Sequence, residues 1–376
     1  MKKINYCKNC LIPNTKPYIN FVNGICNACI SSEKKKNLKL GIDWIQRKKE
    51  FDDIISWTKS QKAPYYDAMV PVSGGKDSIT QVHRLLNKDL RILAVNVDYG
   101  IKTEIGKYNL DRIPLMGANL LIIRPELSLH KRLIKIGLEE YGDPDLLSHT
   151  LLHSYPLHVA NQFQIPLCLL GENSAFEYGG EEGLSASREI TRNWFDKYAA
   201  NKGMTAKIIS EKYKIPFKNL WQYDFPDEIE SNSKMKAVFC SAFFSWDSNE
   251  HLRIAKNYGF KTLDKPAEGT YRKFVGIDEL INRLHQYIKV LKFGYGRATD
   301  HACEDIRLNE ITREKAKDLV KMYDLQPLGK EYLSRIGKFL GYSESQMLEI
   351  LEKFRNQDIW KKNENGEWHI PDHLEN

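Results

Sequence analysis

Between residues 65 and 265 short apolar runs alternate with stretches of helical periodicity, and this alternation restricts the fold more than any other feature of the chain. Residues 66–72, 90–97, 119–123, 167–170 and 237–244 read as five strands. In the second of them Ile92, Leu93, Ala94 and Val95 are consecutive, as in a strand buried on both faces. Helical spacing covers 42–60, 78–86, 103–116, 126–141, 146–163 and 249–258, the last closed by Gly259 as a C-cap. Strands that alternate with helices specify an α/β fold whose parallel five-stranded sheet is covered on both sides. Such sheets bind ligands beyond the carboxyl ends of their strands. The polar residues gather there: Ser73 to Ser78, Asp98-Tyr99-Gly100 and Gly171-Glu172-Asn173.

With 376 residues the chain exceeds one ordinary core. The expected division is a four-cysteine module at 1–32, a basic helical linker at 33–64, the sheet domain at 65–265 and a mainly helical region at 266–376. An insertion at 176–236, with Gly179-Gly180, Pro216, Pro226 and many aromatics, interrupts the sheet domain. A hydrophobic content of 42% excludes wholesale disorder. No apolar run reaches membrane-spanning length, and the start at Met1-Lys2-Lys3 lacks a signal sequence, so a cytoplasmic protein is expected. The formal charge is +7, and residues 31–62 hold nine Lys/Arg against five Asp/Glu. A solvated helix face accounts for that excess better than a nucleic-acid surface.

The first strand runs directly into Ser73-Gly74-Gly75-Lys76-Asp77-Ser78 and then a helix. The glycines let the backbone turn sharply without a Cβ in the way. Free amides and the positive dipole end of the helix favour an anion. Ser73 and Ser78 add hydroxyls, and Lys76 adds a cation. The Walker spacing is absent. Near the amino terminus, Cys7-x-x-Cys10 and Cys26-x-x-Cys29 form two knuckles fifteen residues apart. Four thiolates so spaced suit a structural Zn2+; an iron–sulfur cluster is the remaining alternative. Cys168 and Cys240 sit in apolar runs and read as packing residues.

The string Ser73 to Ser78 resembles the pyrophosphate loop (PP-loop) of the N-type ATP pyrophosphatases, a group that includes GMP synthetase, asparagine synthetase and tRNA-thiolating enzymes. Asn96-Val97-Asp98-Tyr99-Gly100 resembles the segment lining their adenosine pocket. The cysteine knuckles, Pro71 to Ser78, Gly171-Glu172-Asn173 with Glu177-Tyr178-Gly179, Phe293-Gly294-Tyr295-Gly296-Arg297, Thr299-Asp300-His301-Ala302 and Glu304-Asp305-Ile306-Arg307 are together similar to the N-acetyl sugar amidotransferases. The likeness implies an enzyme that uses ATP and Mg2+ to convert an acetamido group of a bacterial surface sugar into an acetamidino group. Members serve pseudaminic acid, mannuronic acid and fucosamine derivatives, in lipopolysaccharide O-antigen or flagellin glycans. It implies Lys76, Asp77, Glu172, Asn173 and His301 as catalytic residues, and Ser73, Gly74, Gly75, Lys76, Asp77, Ser78, Val97, Asp98 and Gly171 as nucleotide ligands.

The sequence shows no glutaminase signature: Lys2 stands where an amino-terminal nucleophile would be. Ammonia is therefore expected from a separate glutaminase resembling that of imidazole glycerol phosphate synthase, with or without its cyclase-like partner. A rival reading is tRNA thiolation, which wants a reactive cysteine near the nucleotide. Among further candidates, Arg188 and Arg192 are four apart and can clamp a diphosphate from one helix face, or pair at the surface. Lys102, Lys107 and Arg112 can meet a phosphate or lie solvated. Asp300, Glu304, Asp305 and Asp247 can hold Mg2+ or cap helices. The 293–307 segment reads as a functional loop.

Overall fold

The structure, a computed structural model, describes residues 4–36, 42–173 and 187–375. The sheet contains five parallel strands: β1 (Ala68–Pro71), β2 (Ile92–Val97), β3 (Asn119–Ile123), β4 (Leu167–Leu170) and β5 (Lys236–Phe239), in the order β3-β2-β1-β4-β5. The order reverses between β1 and β4, so the crevice between their carboxyl ends is the topological switch point.

Period-two alternation divides the strands between two cores. Ala68, Val70, Ile92, Ala94, Leu167, Leu169 and Val238 pack against helices Trp44–Ser60, Lys76–Leu86 and Ser248–Asn257. Met69, Leu93, Val95, Cys168, Leu170, Ala237 and Phe239 face helices Thr150–Gln162 and Arg192–Tyr198. Burial of both faces explains why these strands read as continuous apolar runs.

Some expectations need correction. The fifth strand stops at Phe239, and a 3-10 turn at Cys240–Ala242 folds Ser241 back towards Gly171 and Asn173. An apolar run alone cannot distinguish a strand from the buried turn that follows it. The helix expected from 146 begins at Thr150. The 293–307 segment is not a loop: Gly294, at φ +71°, ends helix Ile281–Phe293, and helix Arg297–Arg307 starts after Gly296. Its inward face carries Ala298, Thr299, His301, Ala302, Cys303 and Asp305, which form no long apolar run. From residue 187 onward the insertion supplies core, with Trp194, Phe195, Tyr223 and Phe225 almost fully buried. Gly179-Gly180 and Glu177-Tyr178-Gly179 lie outside the described residues.

The cysteine-bearing segment shares a core with the carboxyl-terminal region, in which Ile4, Leu11 and Ile12 meet Val290, Tyr295, Cys303, Val320, Ile359 and Trp360. Helices Lys330–Leu340 and Glu344–Lys353 bury Leu333, Ile336, Leu340, Met347 and Leu351 against Ile101, Ile134 and Leu138. The apolar stripe at 333–340 is therefore packing surface. No helix among the described residues is long and apolar enough to cross a membrane.

Candidate functional site

β1 leads into the 73–78 loop, and helix Lys76–Leu86 starts inside it. Gly74 has φ +92°, and a Cβ there would lie 2.6 Å from the Gly106 carbonyl oxygen, so only glycine fits. Gly75 is the N-cap, and no side chain among the described residues caps the helix. The amide of Gly75 donates to Ser73 Oγ at 3.1 Å, and Ser78 Oγ donates to the Gly75 carbonyl at 2.9 Å. The two hydroxyls brace the turn, and the first-turn amides at the positive helix end suit an anion.

Lys76 is 4% exposed. Its Nζ lies 2.6 Å from Asp77 Oδ1 and sits over the rings of Trp246 and Phe274, at 5.0 and 5.5 Å. Asp77 Oδ1 also accepts from His251 Nδ1 at 2.8 Å. The other ring nitrogen of His251, Nε2, is 3.3 Å from Arg84 Nη2. A guanidinium only donates, so Nε2 is the acceptor and Nδ1 carries the proton given to Asp77. Burial pushes the Asp77 pKa up, but Lys76 and His251 outweigh it and hold the carboxyl below its ordinary range. Arg84 is itself fixed by Cys240 Sγ at 3.2 Å and the Phe244 ring at 4.2 Å. His251, Arg84, Trp246 and Phe274 belong to no recognisable string, and sequence reasoning missed them. Arg84 lies farther along the loop's own helix, and only the packing of helix Ser248–Asn257 on that helix brings His251 to Asp77.

At the end of β2, Val97 is buried, and Asp98 accepts from the Gly100 amide at 2.9 Å and from Arg124 Nε and Nη2 at 3.0 and 2.8 Å. Burial raises the Asp98 pKa, and these bonds more than reverse it. Lys102 lies in the same cleft, its pKa lowered by burial against the pull of Asp278, Asp98 and Glu279. Lys107 instead pairs with Glu104 at the surface, and Arg112 stacks on Tyr108. At the end of β4, the Gly171 carbonyl receives the Ser241 amide at 3.2 Å. Asn173 follows half-buried Glu172 and is 1% exposed. Its Oδ1 accepts from Trp194 Nε1 at 2.8 Å and its Nδ2 donates to the Ser187 carbonyl at 3.1 Å. The Asn173 side chain thus braces the rim of the crevice.

The carboxyl-terminal region forms the opposite wall. Besides Phe274 over Lys76, a Cβ on Gly75 would lie 3.7 Å from Asp278 Oδ2, and the Asp278 carbonyl receives the Thr103 amide at 3.1 Å. Trp246 Nε1 donates to Glu304 at 3.2 Å, Arg272 donates to Glu304 at 2.9 Å, and Arg272 also pairs with Asp305. His301, 7% exposed, lies 3.1 Å from Thr270 Oγ1. Burial, then the charges of Arg272, Arg297, Lys289 and Lys76, hold its pKa well below the ordinary value, so it stays neutral.

Residues 268–374 match the family model described as "LPS biosynthesis protein WbpG-like, C-terminal domain". No curated protein matches the chain. The matched segment contains Phe274, Asp278, Glu279, His301 and Glu304, and it supports a role in lipopolysaccharide biosynthesis.

The four cysteine sulfurs of Cys7, Cys10, Cys26 and Cys29 lie within 4.8 Å of one another, all buried. Cys10 and Cys26 Sγ are 3.7 Å apart. A tetrahedral centre with Zn–S of ~2.3 Å requires edges of ~3.8 Å, so the donor set fits zinc. The amides of Cys26 and Cys29 donate to Cys7 Sγ and Cys26 Sγ at 3.2 and 3.4 Å, which favours thiolates.

Other expectations change. Arg188 precedes helix Arg192–Tyr198 and pairs with Glu50 at 3.0 Å, while Arg192 is held by Asp224 at 3.0 Å and by Asp227 and the Phe225 carbonyl. They share no helix face, and their guanidiniums are already engaged by protein oxygens. Asp300 pairs with Lys289, and Asp305 accepts from Tyr271 as well as Arg272, so the acidic trio neutralises cations. Asp247 caps helix Ser248–Asn257. Burial raises the pKa of Cys168 and of Cys240, the opposite of what a nucleophilic thiol needs.

Proposed function

We propose that this protein is an ATP-dependent amidotransferase that converts an acetamido group of a bacterial surface sugar into an acetamidino group. One observation carries the reading: the segment matched to lipopolysaccharide biosynthesis forms a wall of the same crevice that holds the PP-loop-like turn, with Phe274 on Lys76 and Asp278 beside Gly75. Phosphate chemistry and sugar chemistry then share one cleft.

In this reading the amides of the 73–78 loop and Lys76 hold the β- and γ-phosphates of ATP, and the end of β2 at Val97 and Asp98 receives the adenosine. Asp77 Oδ2, which takes part in neither of the two bonds made by Oδ1, is the group suited to Mg2+. Mg2+ there would offset charge on the departing pyrophosphate. The acetamido oxygen attacks the α-phosphorus, the bond to the β-phosphate breaks and pyrophosphate leaves. Ammonia then attacks the activated carbon, and AMP departs with the former amide oxygen. Glu172 and Asn173 border the substrate end, and neutral His301 serves as a hydrogen-bonding group rather than an acid. The high thiol pKa values of Cys168 and Cys240 count against thiolation. Ammonia is supplied by a separate glutaminase subunit.

Lys76→Ala and Asp77→Ala test the assignment. Each should keep its circular dichroism spectrum and lose at least ~100-fold in AMP and pyrophosphate release. Turnover near the wild-type level in both would end this reading.

A further inference from the structure

Helix Thr150–Gln162 packs on β1 and β2 and ends just before β4 begins, so its amino-terminal end lies at the carboxyl ends of the strands. The turn that leads into it is already helical in its bonding, with the His149 amide donating to the Asp145 carbonyl at 2.8 Å. Asp145, His149 and His153 therefore follow one another at intervals of four along one face. Leu146, Leu147, Leu151 and Leu157 face the cores instead. The polar stripe runs across the crevice from β2 to β4. At one end Asp145 Oδ2 lies 3.6 Å from His285 Nδ1 on helix Ile281–Phe293, whose start is tied to the segment after β2 by the Lys102–Glu279 bridge. At the other, the His153 ring meets the Trp194 ring edge-on at 5.8 Å, and Trp194 donates to Asn173 at the end of β4.

All three residues are half-buried, and the Asp145 side chain keeps 14% of its surface open. His285 Nδ1 is 3.0 Å from Asp143, which leaves Asp145 beyond hydrogen-bond reach. Among the described residues none of the three side chains makes a hydrogen bond, and none of their polar atoms is sealed from water. Burial, then His149, pushes the His153 pKa from 6.5 down to about 3, so this ring is neutral and offers one donor and one acceptor. Unused groups of both kinds, held together in a crevice, call for a ligand that both donates and accepts. The Asp145 carboxylate disfavours a phosphate or carboxylate there. Among the described residues the cysteine cluster is the group of three or more donors placed to hold a metal, which sets a metal aside on the stripe. Hydroxyl groups on an uncharged ring are its complement.

We infer that Asp145, His149 and His153 bind the ring hydroxyls of the acetamido sugar, with its acetamido group turned towards Asn173. The inference rests on the amidotransferase reading. Asp145 accepts from one hydroxyl, and His153 both donates to and accepts from another. The rings of His149 and His153 are 6.0 Å apart, which suits neighbouring hydroxyls of one pyranose. Any anionic part of the substrate, a nucleotide diphosphate or a sugar carboxylate, points away from the stripe.

The test uses the full chain with ATP, Mg2+, ammonium chloride and a panel of free and nucleotide-linked acetamido sugars. The sugar that gives the greatest AMP release serves as the probe. His153→Leu should raise KM for that sugar by about tenfold while KM for ATP moves by less than about twofold. His153→Gln, whose amide donates and accepts, should return the sugar KM to within about threefold of wild type. At least one deoxy analogue of the probe should bind the wild type more weakly than the probe does, and should lose that disadvantage in His153→Leu. Asp145→Asn is nearly isosteric and should raise the sugar KM by about fivefold; it decides the matter if the leucine variant does not fold. A lower sugar KM in Asp145→Asn would place an anionic group on the stripe and overturn the assignment. Equal shifts in the two KM values, or no rescue by glutamine, would overturn it as well. Sugar-dependent AMP release by the wild type with an unmoved sugar KM in the variants sinks the stripe alone; no sugar-dependent AMP release sinks the amidotransferase reading and the stripe with it.

Discussion

Single residues decide whether the 73–78 turn can form at all. Gly74 combines a positive φ with a 2.6 Å approach to the Gly106 carbonyl. Gly74→Ala should cost about 1–3 kcal/mol, read as a lowered denaturant midpoint, and should abolish ATP turnover. Its role was legible in the sequence because a strand, a glycine pair and a helix leave few ways to place an anion. His251 was not legible, since a histidine in an ordinary helix carries no sign of what it will face. Its Nδ1–H helps hold Asp77 below the ordinary carboxylate range. A group whose pKa is depressed works above that pKa, so loss of the donor must move the acid limb of ATP turnover to higher pH. His251→Ala should show that shift together with a fall in kcat of about tenfold, and His251→Asn, whose amide can donate in place of Nδ1, should restore much of both. An unchanged acid limb in the alanine variant would show that the histidine merely packs.

At the scale of elements, helix Arg297–Arg307 ties the two polar centres together. One part of it carries His301 and Glu304 towards Lys76, Trp246 and Arg272. Another presents Cys303, whose Sγ receives the Leu11 amide at 3.4 Å beside the cysteine cluster. Arg313, just beyond, donates to the carbonyls of Cys7 and Cys10. A metal on the four cysteines would therefore anchor the wall of the crevice at the 73–78 turn. Chelation of the metal should raise hydrogen exchange across 297–307 and weaken nucleotide binding, while the sheet strands stay protected. Unchanged exchange in that helix after verified metal loss would contradict the link. The sequence displayed the cysteines through their spacing, but it hid the helix. Its buried face is built from small and polar residues, because it faces the apolar core through Ala302 and Cys303 and charged or polar groups through His301 and Asp305.

For the molecule as a whole, the alternation of strands and helices was the most readable property. Both faces of the sheet are buried, so each strand shows as an apolar run, and the strand order follows from ordinary crossover connections. What the sequence withheld was how the carboxyl-terminal region meets the sheet. That junction concentrates carboxyl groups: burial first, then Asp145 and Asp278, raise the Glu279 pKa from 4.5 to about 8. Between those values the unfolded chain has released a proton that the folded chain keeps, so stability falls as pH rises from 4.5 to about 8. Glu279→Gln keeps one accepting oxygen where the Ile281 and Asn282 amides use two, removes the titrating group and should flatten that slope in thermal unfolding. An unaltered slope would place the strain elsewhere. In the proposed reaction the oxygen of an acetamido group attacks the α-phosphorus of ATP in this crevice. The most direct measurement follows a heavy-oxygen label in the acetamido carbonyl of a surface sugar through one turnover with ATP, Mg2+ and ammonium. The label should appear in AMP while the sugar becomes an amidine. Label recovered in pyrophosphate, or retained in the sugar while ATP is consumed, would contradict it.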